Sequence, residues 1–228
     1  RFPAKPLIDI AGKSMIQRVY EQVKKSSRIA KVVVATDHVE IFNHVRNFGE
    51  VCMTRESHIS GTDRCYEALT LQEETFDYVI NIQGDEPFIQ PDQIDLLADK
   101  LNGQTEIATL VKCIVEKEQL FNPNTVKAVI NLQNEALYFS RSAIPHIRNT
   151  PEQEWLDKQK FYKHIGMYAY RSDVLEQLTT LPPSVQRSFS LSPTTVYAGR
   201  HWMTPANASL TACLSLLRMP LAMVSPLD

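Results

Sequence analysis

Two adjacent acidic residues, Asp85 and Glu86, directly follow an apolar segment of the chain. The residues Tyr78-Val79-Ile80 lead into NIQGDEP at residues 81–87. In an open α/β sheet, ligands bind outside the carboxyl ends of the strands. Mg²⁺ is usually held by one or two carboxylates together with substrate phosphates. The segment therefore predicts that Asp85 binds Mg²⁺ beside a nucleoside triphosphate, the alternative being that Asp85 only caps a turn.

Cationic and polar side chains that could contact a triphosphate occur elsewhere in the chain. Arg1 and Lys5 lie in a proline-rich segment, where proline restricts the backbone and could keep both cations near one anion. A solvated chain terminus is the alternative. Ser60, Gly61 and Thr62 precede a helical stretch, and the amino end of a helix presents free N–H groups to anions. Simple capping of that helix is the alternative.

Two further polar residues, Arg141 and His164, lie on later predicted strands. They could face the same edge of the sheet, where they would suit an anionic acceptor. Together with the predicted metal and triphosphate groups, these side chains predict a nucleotidyltransferase. In nucleotidyl transfer, positioning of the substrates and neutralisation of their charge do most of the catalysis. A P-loop kinase or NTPase is not expected, because no G-x-x-x-x-G-K-[ST] segment occurs.

Composition limits the class of protein and its partners. The 228 residues are 43% hydrophobic and 22% charged, as in ordinary soluble domains. A net charge of −2 gives no general attraction to nucleic acid or to an anionic membrane, and no apolar run approaches the roughly 20 residues of a membrane span. The four cysteines are widely spaced without a C-x-x-C pair, which indicates reduced thiols. We therefore expect a cytoplasmic protein without nucleic-acid or membrane partners.

Alternating strand and helix patterns predict an α/β fold. A β-branched strand at residues 31–36 is followed by a helix at 39–48, and the apolar run before residue 84 is a further strand. This order is typical of an open, mostly parallel, Rossmann-like sheet with helices on both faces. Residues 125–131 and 136–140 predict a hairpin, which we expect to form a small mixed β insertion.

The later part of the chain shows weaker patterns. The polar segment leading to Lys160 is interpreted as an irregular surface insertion. Residues 184–228 are rich in Ser, Thr and Pro, and Asp228 is their only acid. Residues 210–217 could form a helix, but no strand is expected there. We therefore divide the chain into a domain at residues 1–183 and an atypical tail that could be poorly ordered.

The order of the motifs resembles the 3-deoxy-manno-octulosonate cytidylyltransferase (CMP-Kdo synthetase) family over about residues 1–183. The last two motifs form its most specific pair. The motifs are RFPAKPL at residues 1–7, VATD at 34–37, VCMTR at 51–55, HISGTDR at 58–64, NIQGDEP at 81–87, FNPNTVK at 121–127, ALYFSRSAIP at 136–145 and HIGMYAYR at 164–171.

The resemblance implies a reaction and an assignment of residues. CTP and 3-deoxy-D-manno-octulosonate (Kdo) would give CMP-Kdo and pyrophosphate, with Mg²⁺, for bacterial lipopolysaccharide biosynthesis. The fold would be of the nucleotide-diphospho-sugar transferase type, and the β insertion would serve dimerisation of a homodimer and sugar binding. By position, the catalytic residues would be Lys5 and Asp85, and Asp85 would also bind the metal. The nucleotide would be bound by Arg1, Lys5, Ser60, Gly61, Thr62, Arg64 and Gln83. The sugar would be bound by Arg141, His164 and Tyr168.

The resemblance also implies features that this sequence lacks. The family's first strand would precede residue 1, and a segment with a second metal carboxylate would follow Pro183. We therefore expect a sheet without its central strand, weak metal binding and low or no turnover. A change of reading frame near residue 184 is a hypothesis for the tail. Two alternatives remain open: another sugar cytidylyltransferase, such as a sialic-acid type, and a non-catalytic chain that binds CTP without transferring it.

Overall fold

The computed structural model describes residues 5–58, 60–181, 195–197 and 221–225. The helices are α1 (Met15–Val23), α2 (Val39–Val45), α3 (Gly61–Thr70), α4 (Pro91–Ala98), α5 (Lys117–Phe121), α6 (Trp155–Lys158) and α7 (Ser172–Thr180), with 3₁₀ turns at Lys5–Leu7 and Glu152–Glu154. The strands are β1 (Asp9–Ile10), β2 (Lys13–Ser14), β3 (Lys31–Thr36), β4 (Glu50–Met53), β5 (Tyr78–Gln83), β6 (Ile107–Ile114), β7 (Lys127–Ile130), β8 (Ala136–Ser140), β9 (Phe161–Arg171), β10 (Thr195–Tyr197) and β11 (Leu221–Ser225).

The main sheet is predominantly parallel. Its strand order is β10-β6-β9-β5-β11-β3-β4. The strands β5, β11, β3 and β4 run parallel to one another, and β10 runs parallel to β6. Only β9 on this path is antiparallel to its neighbours β5 and β6. The arrangement confirms the predicted mostly parallel α/β fold.

Apolar side chains cover both faces of the sheet. In β3, Val32 and Val34 join the apolar cluster of α1, α2 and α4, whereas Val33 and Ala35 join the cluster of α3 and α7. A strand that is apolar at every position is expected where helices cover both faces of a parallel sheet. The prediction of helices on both faces is therefore confirmed.

The centre of the sheet contains a strand that the sequence patterns did not predict. β11 pairs in parallel with β3 on one side and β5 on the other, and Val224 lies opposite both Val34 and Ile82. Buried neighbours on either side present N–H and C=O groups that need partners, and β11 supplies them. The expectations of a sheet without a central strand, and of no strand after residue 184, are therefore wrong. The helix predicted at residues 210–217 lies outside the described residues.

The segment before β9 is anchored by one aromatic side chain. Trp155, at the start of α6, is buried against Ile114, Leu120 and Phe161. Its ring stacks on that of Phe161 with 5.9 Å between the centroids. Burial of a large aromatic surface anchors the segment at this point, while most of residues 146–160 are exposed, as expected of a surface insertion.

The predicted hairpin is present and is attached to the main sheet. β7 and β8 pair antiparallel, with Lys127 opposite Ser140 and Ala128 opposite Phe139. β7 also pairs antiparallel with β9, where Lys127 lies opposite Lys163. Through this second ladder the hairpin is held beside the strand that carries the predicted sugar ligands.

Candidate functional site

The candidate site lies where β5 ends, beside one edge of β9. On this edge β9 pairs with β7 up to Lys163 and with β5 from Tyr168 onward, and residues 165–167 belong to neither ladder. The last residue of β5, Gln83, reaches this gap. Its Cγ atom lies 3.7 Å from the position that a Cβ atom would occupy on Gly166. We call the gap, formed by residues 165–167 and Gln83, the β9 notch.

A β-bulge brings two predicted sugar ligands together at the notch. Between the positions opposite Thr109 and Leu110, β9 has two additional residues, 166–167. A bulge bends its strand and redirects the side chains. In a regular strand, residues four apart are separated by about 13 Å along the backbone. The ring centroids of His164 and Tyr168 are nevertheless only 5.0 Å apart.

The predicted catalytic residues contact each other at the end of β5. The ammonium of Lys5 forms an ion pair with the carboxylate of Asp85, which is mostly buried. The neighbouring Glu86 is exposed, but partial desolvation, followed by the charge of Asp85, raises its pKa against the opposing effects of Lys5 and Lys163. The loop after β5 therefore concentrates carboxyl groups where two lysines approach.

The oxygen atoms of this loop fit a hard divalent cation. Asp85 presents a carboxylate at the end of a strand, with a second carboxyl group in the next residue. In the part of the chain that the structure describes, no group of three or more His, Cys, Asp or Glu side chains converges. The protein would thus supply one or two ligands, and phosphates and water the others, as is usual for Mg²⁺.

The first turn of α3 carries three of the predicted nucleotide ligands. Ser60 caps the helix: its hydroxyl accepts from the backbone N–H of Asp63 at 3.2 Å and donates to the Asp63 carboxylate at 2.6 Å. The hydroxyl of Thr62 lies 3.3 Å from that of Tyr170. Capping by Ser60 is therefore observed, and nucleotide binding by Ser60, Gly61 and Thr62 stays a prediction.

Arg64 differs from the other predicted nucleotide ligands because it is only 2% exposed. Its guanidinium donates to the hydroxyl of Thr54 at 2.7 Å and pairs with the buried carboxylate of Asp37, directly after β3. Arg64 therefore ties α3 to the ends of β3 and β4. Its contact with a nucleotide stays a prediction, whereas its contacts within the protein show a positioning role that the motif did not reveal.

Aromatic rings connect the start of α3 with the hairpin. Tyr170, next to Thr62, stacks on Tyr168 with 5.9 Å between the ring centroids. Beyond Tyr168, His164 contacts the ring of Phe139 edge to face at 5.0 Å. Such distances and angles are favourable for aromatic pairs. Burial raises the pKa of Tyr168 to about 12, so its hydroxyl keeps its proton at neutral pH.

Thr109 determines which nitrogen of His164 carries the proton. The buried Thr109 hydroxyl lies 2.6 Å from the carbonyl oxygen of Met167 and 2.8 Å from Nε2 of His164. A carbonyl can only accept, so the hydroxyl donates to Met167 and must accept from Nε2–H. Burial also lowers the pKa of His164 to about 4. The ring is therefore neutral at pH 7 and offers Nδ1 as an acceptor, which suits a sugar hydroxyl rather than a negative charge.

The remaining predicted ligands are Gln83, Arg141 and Arg1. The side-chain oxygen of Gln83 is buried and has no hydrogen-bond partner among the described residues. Leaving such an atom unpaired is costly, so an N–H or O–H group of a ligand in the notch would stabilise it. Arg141 is exposed and donates to the carbonyl oxygen of Pro123 at 3.1 Å. Arg1 lies outside the described residues.

Comparison with known proteins agrees with this arrangement. Residues 1–198 match the family model described as cytidylyltransferase. The chain is 53% identical over 186 residues to the 3-deoxy-manno-octulosonate cytidylyltransferase of Cytophaga hutchinsonii, covering 81% of this chain and 74% of that protein. It is 54% identical over 190 residues to the corresponding protein of Parabacteroides distasonis, covering 81% and 75%. The chain belongs to the 3-deoxy-manno-octulosonate cytidylyltransferase family.

Solved structures place the fold in the same group. A CMP:2-keto-3-deoxy-manno-octonic acid synthetase complexed with CTP is 42% identical, with a TM-score of 0.72, and the match covers 83% of this chain and 77% of that one. HddC from Yersinia pseudotuberculosis is 11% identical with a TM-score of 0.52 over 97% and 80% of the chains, which shows the fold alone. The predicted family and the nucleotidyltransferase class are confirmed. None of the helices described here has the length and apolar character of a membrane span.

The burial of the Arg64–Asp37 ion pair predicts that the loss of either partner destabilises the fold. Arg64→Met should lower the free energy of unfolding by about 3–5 kcal/mol, because the Asp37 carboxylate stays buried without its counter-charge. Urea unfolding at pH 7 measures the loss. Arg55→Met is the matched control, since Arg55 pairs with Glu67 of α3 at 2.9 Å but is 70% exposed, and it should cost less than about 1 kcal/mol. Equal losses in the two variants would contradict the prediction.

The low pKa of His164 predicts a loss of stability in acid. The folded-state pKa of about 4 lies below the ordinary value of about 6.5. As the pH falls between these two values, the unfolded chain binds the proton first and stability is lost. Between pH 7 and pH 5 the loss from His164 should be about 2 kcal/mol, measured as the difference between the wild type and His164→Gln. A ring that titrates near its ordinary pKa would contradict this prediction. Long-range ¹H–¹⁵N NMR should show the proton of the neutral ring on Nε2, and a proton on Nδ1 would contradict that assignment.

Proposed function

We propose that this chain transfers the cytidylyl group of CTP to Kdo, forming CMP-Kdo and pyrophosphate for lipopolysaccharide biosynthesis. The names of its relatives, at more than half identity, support this substrate pair, as does the CTP complex of a similar structure. Within the chain, the observation that carries the proposal is the contact between Lys5 and Asp85 at the end of β5. It lies at the strand end that borders the β9 notch, where His164 and Tyr168 meet.

In the proposed reaction, the anomeric hydroxyl of Kdo attacks the α-phosphorus of CTP. A bond forms between that oxygen and phosphorus, the bond from phosphorus to the bridging oxygen of pyrophosphate breaks, and the hydroxyl proton is released. Negative charge grows on the leaving pyrophosphate during this step. The half-exposed ammonium of Lys5 is suited to stabilise that charge. Arg1 has the same proposed role.

The proposed sugar site separates charge recognition from hydroxyl recognition. Arg141 would bind the carboxylate of Kdo, because a guanidinium matches a carboxylate in charge and shape. His164 would accept a hydroxyl hydrogen through Nδ1, and the protonated hydroxyl of Tyr168 would donate. The nucleotide would lie at the start of α3 and against Gln83, with Arg64 holding α3 in place through Asp37.

Mg²⁺ is part of the proposal. Asp85 would hold it, with the adjacent carboxyl group of Glu86 close by in sequence. When bound, the cation would neutralise phosphate charge and polarise the phosphoryl group. Lys5 would remain a cation of the protein beside this loop, since its side chain already approaches Asp85.

The proposal includes a cytoplasmic location. Cys52, Cys65 and Cys113 are free thiols. Burial raises the pKa of Cys52 to about 11 and that of Cys65 to about 12, so both stay protonated and unreactive at neutral pH. A set of protonated thiols without disulfides suits a reducing compartment. Cys213 lies outside the described residues.

A homodimer formed through the β7–β8 hairpin is a further part of the proposal. Leu132, in the turn between the strands, is 96% exposed, and Leu137 and Tyr138 on β8 are about half exposed. Large apolar side chains that are grouped on one exposed element are typical of protein interfaces. Among the described strands the hairpin pairs with the sheet through β9 alone, and we propose that its outer surface contacts a second copy of the chain.

The role of Asp85 can be tested by removing only its charge. Asp85→Asn should reduce pyrophosphate release from CTP, Kdo and Mg²⁺ by at least about 100-fold, since the amide keeps the shape of the side chain. Asp92→Asn, an exposed carboxylate of α4, is the matched control and should keep the rate. An unchanged rate in Asp85→Asn would mean that the metal and phosphates bind elsewhere.

Two outcomes of that assay would favour the alternatives. If calorimetry detects CTP binding while the wild-type chain releases no pyrophosphate, the chain is a non-catalytic binding protein. If sialic acid replaces Kdo with an equal or higher rate, the acceptor has been assigned wrongly.

The dimer can be tested on the hairpin. Leu137→Glu should raise the dissociation constant of the dimer at least about tenfold, because a charge would replace a buried apolar contact. Light scattering after size-exclusion chromatography over a range of concentrations measures it. Leu71→Glu is the control, since Leu71 at the end of α3 is 54% exposed and Leu137 is 56% exposed. A monomeric wild type, or equal effects of both variants, would exclude this interface.

A further inference from the structure

A fully buried lysine lies behind the proposed sugar site. Lys127, the first residue of β7, is 0% exposed. Its ammonium donates to three main-chain carbonyl oxygens: that of Asn122 at 2.7 Å, that of Thr125 at 2.8 Å and that of Arg141 at 2.7 Å. An ammonium has three donor protons, so each proton has one acceptor. The hydrogen bonds of this cation are therefore all made to neutral backbone groups.

A buried cation of this kind is costly, so its contacts need an explanation. Moving an ammonium out of water costs several kcal/mol, which hydrogen bonds offset only in part. Burial, together with the nearby charge of Arg141, lowers the pKa of Lys127. An apolar side chain would fill the same position of the strand without this cost. What an apolar side chain could not do is hold carbonyl groups of two separate segments together.

The two segments that Lys127 joins are the turn before β7 and the residue after β8. Asn122 and Thr125 belong to the turn, and Arg141 follows the hairpin. The guanidinium of Arg141 also donates to the carbonyl oxygen of Pro123, at 3.1 Å, in the same turn. Lys127 thus fixes the main chain of Arg141 and also the turn against which the side chain of Arg141 rests.

The same strand fixes the backbone of His164. Lys127 lies opposite Lys163 in the ladder between β7 and β9. The carbonyl oxygen of Val126, the residue before Lys127, accepts from the backbone N–H of His164 at 2.8 Å. Lys127 therefore lies at the junction of the main-chain segments that carry Arg141 and His164.

We propose that Lys127 is a positioning residue for the acceptor sugar, holding Arg141 at a fixed place relative to His164 so that both can bind one sugar acid. This inference rests on the proposed function. Lys127 would not touch the sugar, because it acts through the carbonyl oxygen of Arg141. Lys5, in the 3₁₀ turn at Lys5–Leu7, and Asp85, in the loop after β5, belong to other segments of the chain, so CTP binding should not depend on Lys127.

The kinetic test separates the two substrates. Lys127→Met keeps the length of the side chain and removes the ammonium. At saturating CTP the KM for Kdo should rise at least about tenfold, as expected for losing charge-assisted hydrogen bonds, whereas the KM for CTP should change less than about twofold. Lys127→Gln, which retains a donor group, should give a smaller rise. Lys158→Met is the control, an exposed lysine of α6, and should change neither constant. Equal rises in both constants, or no rise for Kdo, would overturn the proposal.

A second test does not depend on turnover. Hydrogen exchange followed by mass spectrometry should show at least about tenfold faster exchange in Lys127→Met for peptides covering residues 122–126 and 141–143. Peptides covering residues 5–7 and 83–86 should exchange as in the wild type. Faster exchange along the whole chain would indicate a general folding role and overturn the inference, as would unchanged exchange at residues 122–126. If the wild type forms no CMP-Kdo, the proposed function fails, while this local comparison still decides the role of Lys127.

Discussion

β9 pairs with three neighbouring strands, β5, β6 and β7, and its register with β6 shifts at the bulge at residues 166–167. Its first half pairs with β6 and β7, and its second half pairs with β6 and β5. Because β5 and β7 use the same edge, backbone hydrogen bonds fix their separation along β9. The β9 notch is therefore a property of the main chain. The side chains that border it, Gln83 and His164, have their places set by strand pairing before any ligand binds.

Buried polar side chains hold the loops around this notch. Arg64, Thr109 and Lys127 are nearly inaccessible to solvent, and each bonds to groups that are distant in sequence. A buried donor without an acceptor costs about as much as a lost hydrogen bond or more, so each of these residues favours one arrangement of its partners. Residues that touch no substrate can therefore decide whether the binding groups face one another.

Part of this arrangement could be predicted from the sequence. Asp85 follows an apolar strand, and the carboxyl ends of parallel strands meet at one edge, so its place could be inferred. The position of β11 could not, since local periodicity does not specify which distant strands will pair. Lys127 lies between Val126 and Ala128, so the period of a strand places it on the opposite face from them but does not indicate what covers that face. For Arg64, motif order gave the position in the chain but not the direction of the side chain.

Burial determines which side chains of the proposed site are charged. Both proposed substrates are anions, so each needs a cation, and the two cations must not compete for the same anion. Lys5 pairs with Asp85 in the loop after β5, and Arg141 lies beside the hairpin. His164, which contacts Tyr168 at the notch, is kept neutral because burial lowers its pKa to about 4. A protonated His164 would attract the carboxylate of the sugar away from Arg141 and reverse its orientation. Burial of an uncharged imidazole against Thr109 would therefore remove one competing positive charge from the site of the acceptor.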